Sequence, residues 1–599
     1  MRKLFVVLGL LVVASMVLAA CGASAATPQT IVQTVIVEGT PQVQIVEVTP
    51  EPAAEAKPAV LRVNVGTYPD VIDPQKSSYV IEIATLKQIY QGLTELNAKL
   101  ETVPGAAESW KFNDDATQLV FTLKKGLKYS DGSVLNAKRF EFAFLRNIDP
   151  TTGGEYASIT DEILNAPEWR AADTSAADYS REEWVKKVGV KASHADGTDC
   201  VDYEDVACDT LTLTFSKPAP YFATIAGLWV GYPAKEENIE EGGDLWWNSS
   251  KYQIGNGAFI LKTVEPFVRQ YFVPNPNFAG PGIPTYDLEY SYITDSAVAF
   301  EAYKNNEFDV IASVAEDLDA INADPDLTAQ HIQYAGSCTI VIKFGIGGEY
   351  NGQPSPFQDK KVREAFAYAF DAESWVVDVD GSLSLPTWTW IPPGYPGYDG
   401  DYTPYKFDPE KAKAALAASS YGGPEGINAL GLKLTFGDTP RNRTRSEWLV
   451  ANYKKNLGVD IALDPVDTTT FTALTKDPKT FPVLARQGWC ADYPDPQNWL
   501  SVYWKSDTTF AQRMGYKNEE FDRLVAEADV TVDPAKRMEL YKQAQRILLD
   551  DAPSAFGYNT INHYLVKPWV KGIQTTPQDA VFPGDMVPWT ITIDTSMIP

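Results

Sequence analysis

The sequence predicts an α/β protein of two or three domains. Strand and helix patterns alternate along it, as where a strand at 290–293 gives way to a helix at 297–305 and a short buried strand at 308–310. More than five hundred of the 599 residues remain once the N-terminal segments described next are set aside, which is beyond one core's comfortable size. The formal net charge is −28, from 51 Lys and Arg against 79 Asp and Glu. Nothing basic is spare to neutralise phosphates, so no nucleic-acid partner is expected.

At the N-terminus, Arg2 and Lys3 precede an apolar run at 4–17 that small residues follow. This is the pattern of a secretory signal, and the run is short for a membrane span. Leu18-Ala19-Ala20-Cys21-Gly22 resembles a bacterial lipobox, which implies a signal peptide at 1–20 and lipidation of Cys21. The alternative is a plain signal cleaved near Ala26, which would discard Cys21. Residues 21–59 are rich in Thr, Pro, Val, Gln and Ala and lack aromatics, so they read as a flexible membrane tether. Within them, 32–37 and 43–48 have strand propensity and could pair weakly.

The folded body opens with a strand at 60–65. Val80, Ile83, Leu86, Tyr90 and Leu93 then recur at helical spacing. A strand at 119–123, an amphipathic helix at 136–148 closed by Asp149-Pro150, and an alternating strand at 210–215 follow. From Cys338 a strand runs to 344; Asp359 caps a helix with Val362, Ala365, Phe366 and Ala369 inward, and Asp371 caps the next. Residues 381–405 are dense in Pro, Gly, Trp and Tyr. Such rings could stack on an oligosaccharide, but a loop closing over the core is preferred, because Pro and Gly fix turns whatever the ligand. A strand at 432–436, a helix at 447–457, a helix burying Phe521, Leu524, Val525 and Ala528, and another burying Met538, Tyr541 and Leu548 complete the order.

Of five cysteines, Cys21 would carry lipid, and the even remainder argues for two bridges. Cys200 and Cys208 flank a short acidic loop and are each other's nearest partner; Cys338 and Cys490 remain. A nucleophilic Cys490 would need a base, and His194, His331 and His563 sit in no recognisable dyad motif. No Gly-x-Ser-x-Gly, His-Glu-x-x-His or phosphate-loop pattern supports an exported hydrolase, and Asp378-x-Asp380-Gly381 is too incomplete for a calcium loop. Neither enzyme activity nor a cofactor or metal is expected.

Residues 481–500, FPVLARQGWCADYPDPQNWL, carry the site-like composition. Val483 to Ala485 read as the end of a buried strand, so Arg486, Gly488, Cys490 and Asp492 follow in extended backbone. A cation and an anion held apart on one rigid edge suit a zwitterion such as a peptide. Equally, Asp492 before Tyr-Pro can be a turn former, and Trp489 beside Cys490 can be core.

Arg486-Gln487-Gly488-Trp489-Cys490-Ala491-Asp492-Tyr493 resembles the signature of the oligopeptide-binding proteins that serve ABC importers. Asp73-Pro74, the string at 106–110, the turn at 128–133 and the string at 565–572 resemble the same group, with Tyr129 where its members normally have tryptophan. By these motifs the chain is identified as a member of the extracytoplasmic peptide/nickel-binding family. The resemblance implies a two-lobed periplasmic-binding-protein fold of type II, like the large cluster C, with an extra domain inserted in the first lobe. The first lobe would comprise 60–90, 234–337 and 566–599, the insertion 91–233 and the second lobe 338–565. Against the family, 168–209 reads as an enlarged acidic insertion.

By the same resemblance, Cys338 bridges Cys490 and Asp492 pairs with a peptide's α-ammonium. Arg486 meets the carboxylate, and the backbone of Gly488 and Cys490 adds the peptide as a strand. Trp489 joins the ligand-binding set, Tyr156 and Val80 contribute backbone, and Asn442 and Lys476 lie roughly where relatives read the carboxylate. Ser78 stands where relatives can carry an acid, which weakens any expectation of basic peptides. Expected partners are a short peptide, the permease and ATPase subunits of an ABC importer, and the membrane through the lipid anchor, with the protein a monomer outside the cytoplasm. The alternative is a same-fold receptor for an oligosaccharide or other small solute. In either case the lobes would close on contacts made only in the closed state.

Overall fold

In the computed structural model, residues 29–37, 40–48 and 59–599 are described. Cys21 and the expected signal at 1–20 lie outside the described residues. The strands Gln29–Val37 and Thr40–Val48 pair antiparallel from Gln29 against Val48 to Val37 against Thr40, so the pairing weighed within the expected tether extends over both strands. Residues 59–599 form a separate compact unit.

That unit is organised by a nine-stranded mixed sheet. Its path runs Phe259–Glu265, Arg269–Pro274, Tyr286–Ser291, Ala59–Asn64, Val310–Ala312, Ser554–Val566, His331–Phe344 and Leu484–Cys490, with Ser384–Pro386 also pairing Ser554–Val566. Ala59–Asn64 lies parallel to both of its neighbours, the arrangement that chain reversals through helices impose. Two long strands, His331–Phe344 and Ser554–Val566, join the halves: Val566 pairs with Val310 at one end, while Cys338 pairs with Cys490 further along.

The strand expected from Cys338 therefore begins seven residues earlier, and the lobe boundary read at 337/338 falls inside it. His331 to Ser337 are mostly polar or small, so no apolar alternation announces them. Their pairing shifts register between Ala335 and Thr339, and Gly336 fits there because a Cβ would come within 2.6 Å of Thr560 Oγ1. The helix expected from 447 likewise starts earlier, as Pro440–Leu457, with Thr439 accepting from the Asn442 N–H and Pro440 opening the first turn. Its first turns are Arg- and Asn-rich and show no apolar period. Met538 is half-buried, while Tyr541 and Leu548 are buried as expected.

A separate antiparallel sheet, ordered Ala107–Phe112, Gln118–Leu123, Thr210–Thr214 and Val190–Ser193, occupies the inserted region. Its Leu119, Phe121, Leu211 and Leu213 share one continuous core with Leu61, Val63, Leu288 and Tyr290 of the main sheet. Helix Ala137–Ile148 packs on it, and Asn136 Nδ2 ties the helix start to the Cys200–Cys208 loop by donating to the carbonyls of Asp202 and Asp205 at 2.9 and 3.1 Å.

In the second half, strand alternation splits the core across the sheet. Ile342 and Phe344 face Phe366 and Trp375, while Val341 faces Trp390, Trp499 and Trp504. Trp390 is fully buried there and Tyr395 nearly so, which makes the aromatic stretch at 381–405 a loop closed over the core.

Candidate ligand-binding site

Strand Leu484–Cys490 ends the path of the main sheet, and among the described residues no strand pairs with its outer edge. The Ala491 N–H donates to Ser337 O at 2.9 Å, and Val483 O accepts from the Gly345 N–H at 3.0 Å. By the two-residue period, the odd-numbered residues bond inward and Arg486, Gly488 and Cys490 turn their backbone N–H and C=O to the free edge. Gly488 is confined on its side-chain face, where a Cβ would meet Thr339 O at 2.6 Å. The bridge from Cys490 to Cys338 pins the end of the strand.

Asp492 follows two residues beyond. Asn498 positions it: Asn498 Nδ2 donates to Asp492 Oδ2 at 2.9 Å, while Asn498 Oδ1 accepts from the Asp492 N–H and from Trp489 Nε1, both at 3.1 Å. Asn498 is held in turn because Asp495 caps the short helix Pro496–Trp499 and pairs with Arg537 at 2.7 Å. Burial pushes the Asp492 carboxyl up to about 6, against hydrogen bonding from Asn498 and Tyr156. Among the described residues no cation contributes to its environment.

Asp492 lines a cavity of about 210 Å³ that also takes in Gly488, Trp489, Cys490, Tyr156 and Val80. Six of the nine residues expected to bind ligand are thus gathered in one space. Tyr156 meets Asp492 through its side chain, where the sequence had suggested only its backbone. Arg486 and Asn442 are joined outside the cavity lining: Arg486 Nη2 donates to Asn442 Oδ1 at 3.2 Å and Nη1 to the Tyr558 hydroxyl at 3.0 Å. Both partners are neutral, so the guanidinium charge is available. Lys476 stands apart, paired with Glu155 at 3.6 Å on partly exposed side chains.

Sequence reasoning missed Asn498, although it lies in the 481–500 stretch; its signal was the Asp-Pro helix start that fixes it opposite Asp492. One His, Cys and acid group among the described residues, His194, Cys200 and Asp205, has metal-like spacing. Its sulfur is engaged in the Cys200–Cys208 bridge and His194 Nε2 lies 2.8 Å from Asp205 Oδ2, so the group does not fit a metal.

A two-lobed α/β body with a ligand-sized cavity between unlike walls defines a solute-binding protein. The model of the bacterial extracellular solute-binding proteins, family 5 (middle), matches residues 101–511, and the chain belongs to that family, one of binding proteins for transport rather than enzymes. It is 26% identical over 531 residues to the periplasmic murein peptide-binding protein MppA of Escherichia coli, covering 86% of this chain and 91% of that one. To the periplasmic oligopeptide-binding protein OppA of Salmonella typhimurium it is 27% identical over 529 residues, covering 85% and 88%. The unliganded open form of MppA superposes with a TM-score of 0.68 at 25% identity, covering 90% of this chain and 98% of that one. Haemophilus influenzae OppA in complex with RPPGFSPFR shares the fold, with a TM-score of 0.70 at 22% identity and coverage of 90% and 99%. The fold is the two-lobed type II periplasmic-binding-protein fold expected from the sequence.

Proposed function

We propose that this protein captures short peptides with a free amino terminus between its lobes and delivers them to an ABC importer. The observation that carries the reading is Asp492, a carboxylate enclosed with no cation among the described residues, beside a strand edge that none of the described strands pairs. A peptide's α-ammonium supplies the missing charge, and its backbone completes the edge at Gly488 and Cys490, giving affinity with little dependence on side chains. Six residues separate Asp492 from Arg486, roughly 20 Å of extended chain; allowing for the reach of Arg486, a peptide of about three or four residues spans the two charges. Asn442 orients Arg486, and Lys476 with Glu155 closes the rim.

The names of relatives support peptide capture. The lobes divide as 60–90, 234–337 and 566–599 against 338–565, with 91–233 inserted, and lipidation of Cys21 holds the monomer at the outer face of the cell membrane. A receptor for another small solute is the second reading, and a relative named as a probable deoxycholate-binding periplasmic protein, YgiS of Escherichia coli, favours it; that relative is 25% identical over 543 residues.

Native mass spectrometry of protein purified from peptide-rich medium tests the proposal. Wild type is expected to carry heterogeneous short peptides that Asp492→Ala loses, and N-acetylated peptides are expected not to rebind. A single non-peptide mass, or equal binding of acetylated peptides, overturns it.

A further inference from the structure

The cavity contains a second polar cluster that the ammonium site does not use. Its wall includes the loop at 576–585, and Gln578 Nε2 donates to Ala491 O at 3.0 Å, fastening this loop to the residue beside Asp492. In each of two aspartates of the loop, one oxygen is tied to backbone and the other is not. Asp579 Oδ2 accepts from the N–H groups of Thr576 and Gly584, both at 2.9 Å. Asp585 Oδ2 accepts from those of Ala580 and Val581 at 2.9 and 2.8 Å. The remaining oxygens, Asp579 Oδ1 and Asp585 Oδ1, are buried and have no hydrogen-bond partner among the described residues.

Both aspartates line the cavity and are only 5% and 2% exposed. Glu95 and Lys87 line it as well, and the Lys87 ammonium donates to the Met586 thioether at 3.1 Å. The buried Tyr334 hydroxyl lies close enough to Asp579 to oppose that carboxyl's upward shift, and the Tyr290 hydroxyl lies near Asp585, but neither reaches full hydrogen-bond geometry. Capping the loop needs one oxygen from each acid, so the loop's architecture leaves the second pair unexplained. A buried acceptor without a donor is costly, and more so when charged. Asp579 and Asp585 share one ammonium, that of Lys87, and their second oxygens are acceptors; the group that satisfies them is a cationic donor. Burial and the neighbouring Asp585 push Asp579 up to about 8, the behaviour of a carboxyl pair short of a cation.

We infer that Asp579 and Asp585 form a subsite for a basic side chain of the bound peptide, whose ammonium or guanidinium donates to Asp579 Oδ1 and Asp585 Oδ1. This rests on the peptide reading of the cavity. It gives the protein a preference that Ser78 did not suggest, supplied from the far end of the chain.

Calorimetric titration with Lys-Ala-Ala, Ala-Lys-Ala and Ala-Ala-Lys, each beside its norleucine counterpart, tests the inference. Norleucine keeps the shape and removes the ammonium. In at least one register the lysine peptide is expected to bind about tenfold or more tightly. That ratio is expected to fall to near one in Asp585→Asn, and in Asp579→Asn as an independent variant, with folding of each checked by thermal unfolding. Equal binding of lysine and norleucine peptides in every register overturns the subsite while leaving peptide capture intact, as does a ratio that survives both variants. If none of the six peptides binds, the peptide reading itself fails and the subsite with it.

Discussion

One wall of the cavity comes from one continuous stretch, whereas the rest of its lining is assembled from distant ones. Between Leu484 and Asp492 a single strand and its extension present a backbone edge, a bridged cysteine and an oriented carboxylate. Val80, Lys87, Tyr156, Asp579 and Asp585, which also line the cavity, come from three separate parts of the chain. The difference teaches how general and selective recognition separate. A backbone edge accepts many sequences because every peptide carries the same hydrogen-bonding groups, while buried side chains discriminate because an unpaired polar atom is penalised.

Removing the covalent anchor of the continuous wall should have the largest effect. The Cys338–Cys490 bridge closes a separation of 152 residues and the Cys200–Cys208 bridge one of 8. Loop-closure entropy then gives about 5 kcal/mol for the first and about 2.5 kcal/mol for the second. Calorimetric unfolding of the two double serine variants should show the larger loss for Cys338 and Cys490; the reverse order would mean that the site strand is held by packing alone.

Asp492→Ala should weaken binding of a free-amino tripeptide by about a hundredfold, because it strands a buried ammonium. The pH dependence sharpens this. The ammonium needs the carboxylate, so affinity should fall as pH drops below about 6, approaching tenfold per unit, and Asp492→Asn should abolish that slope in calorimetric titrations. For folding of the empty protein the sign is opposite. A carboxyl raised to about 6 favours the folded state while protonated, and that contribution is lost as pH rises from about 4 through 6. Comparing unfolding of wild type and Asp492→Asn across that range isolates it from the other buried acids.

Arg486→Ala should cost about tenfold for peptides of three or four residues and less for longer ones, since only a carboxylate at the right reach meets the guanidinium. A loss independent of length would show that the strand edge, not the charge, sets the far boundary. Lys476→Ala should change affinity by less than about threefold, because its pair with Glu155 is exposed and screened.

Much of this was legible along the chain. The strand Leu484–Cys490, its Cys490 and the Asp492 carboxylate sit within a few residues of one another, and helix starts such as Asp359 and Asp371 are marked by side chains that accept from the first turn. Less legible were positions whose meaning depends on a distant partner. The strand through His331 was hidden because its residues are polar and small, and it is ordered by pairing with Ser554–Val566. Tyr156, expected to contribute backbone, brings its side chain to Asp492.

By itself the sequence determined the α/β alternation, the caps, the split of inward faces along each strand and the local chemistry of 481–500, because each depends on spacing within a few residues. Only the tertiary structure decided that no strand among the described residues pairs with the outer edge of Leu484–Cys490, that Asn498 aims Asp492, and that Asp579 and Asp585 line the same cavity. The reason is physical: a polar atom is satisfied or orphaned by what the fold brings within about 3 Å of it, and spacing along the chain does not carry that distance.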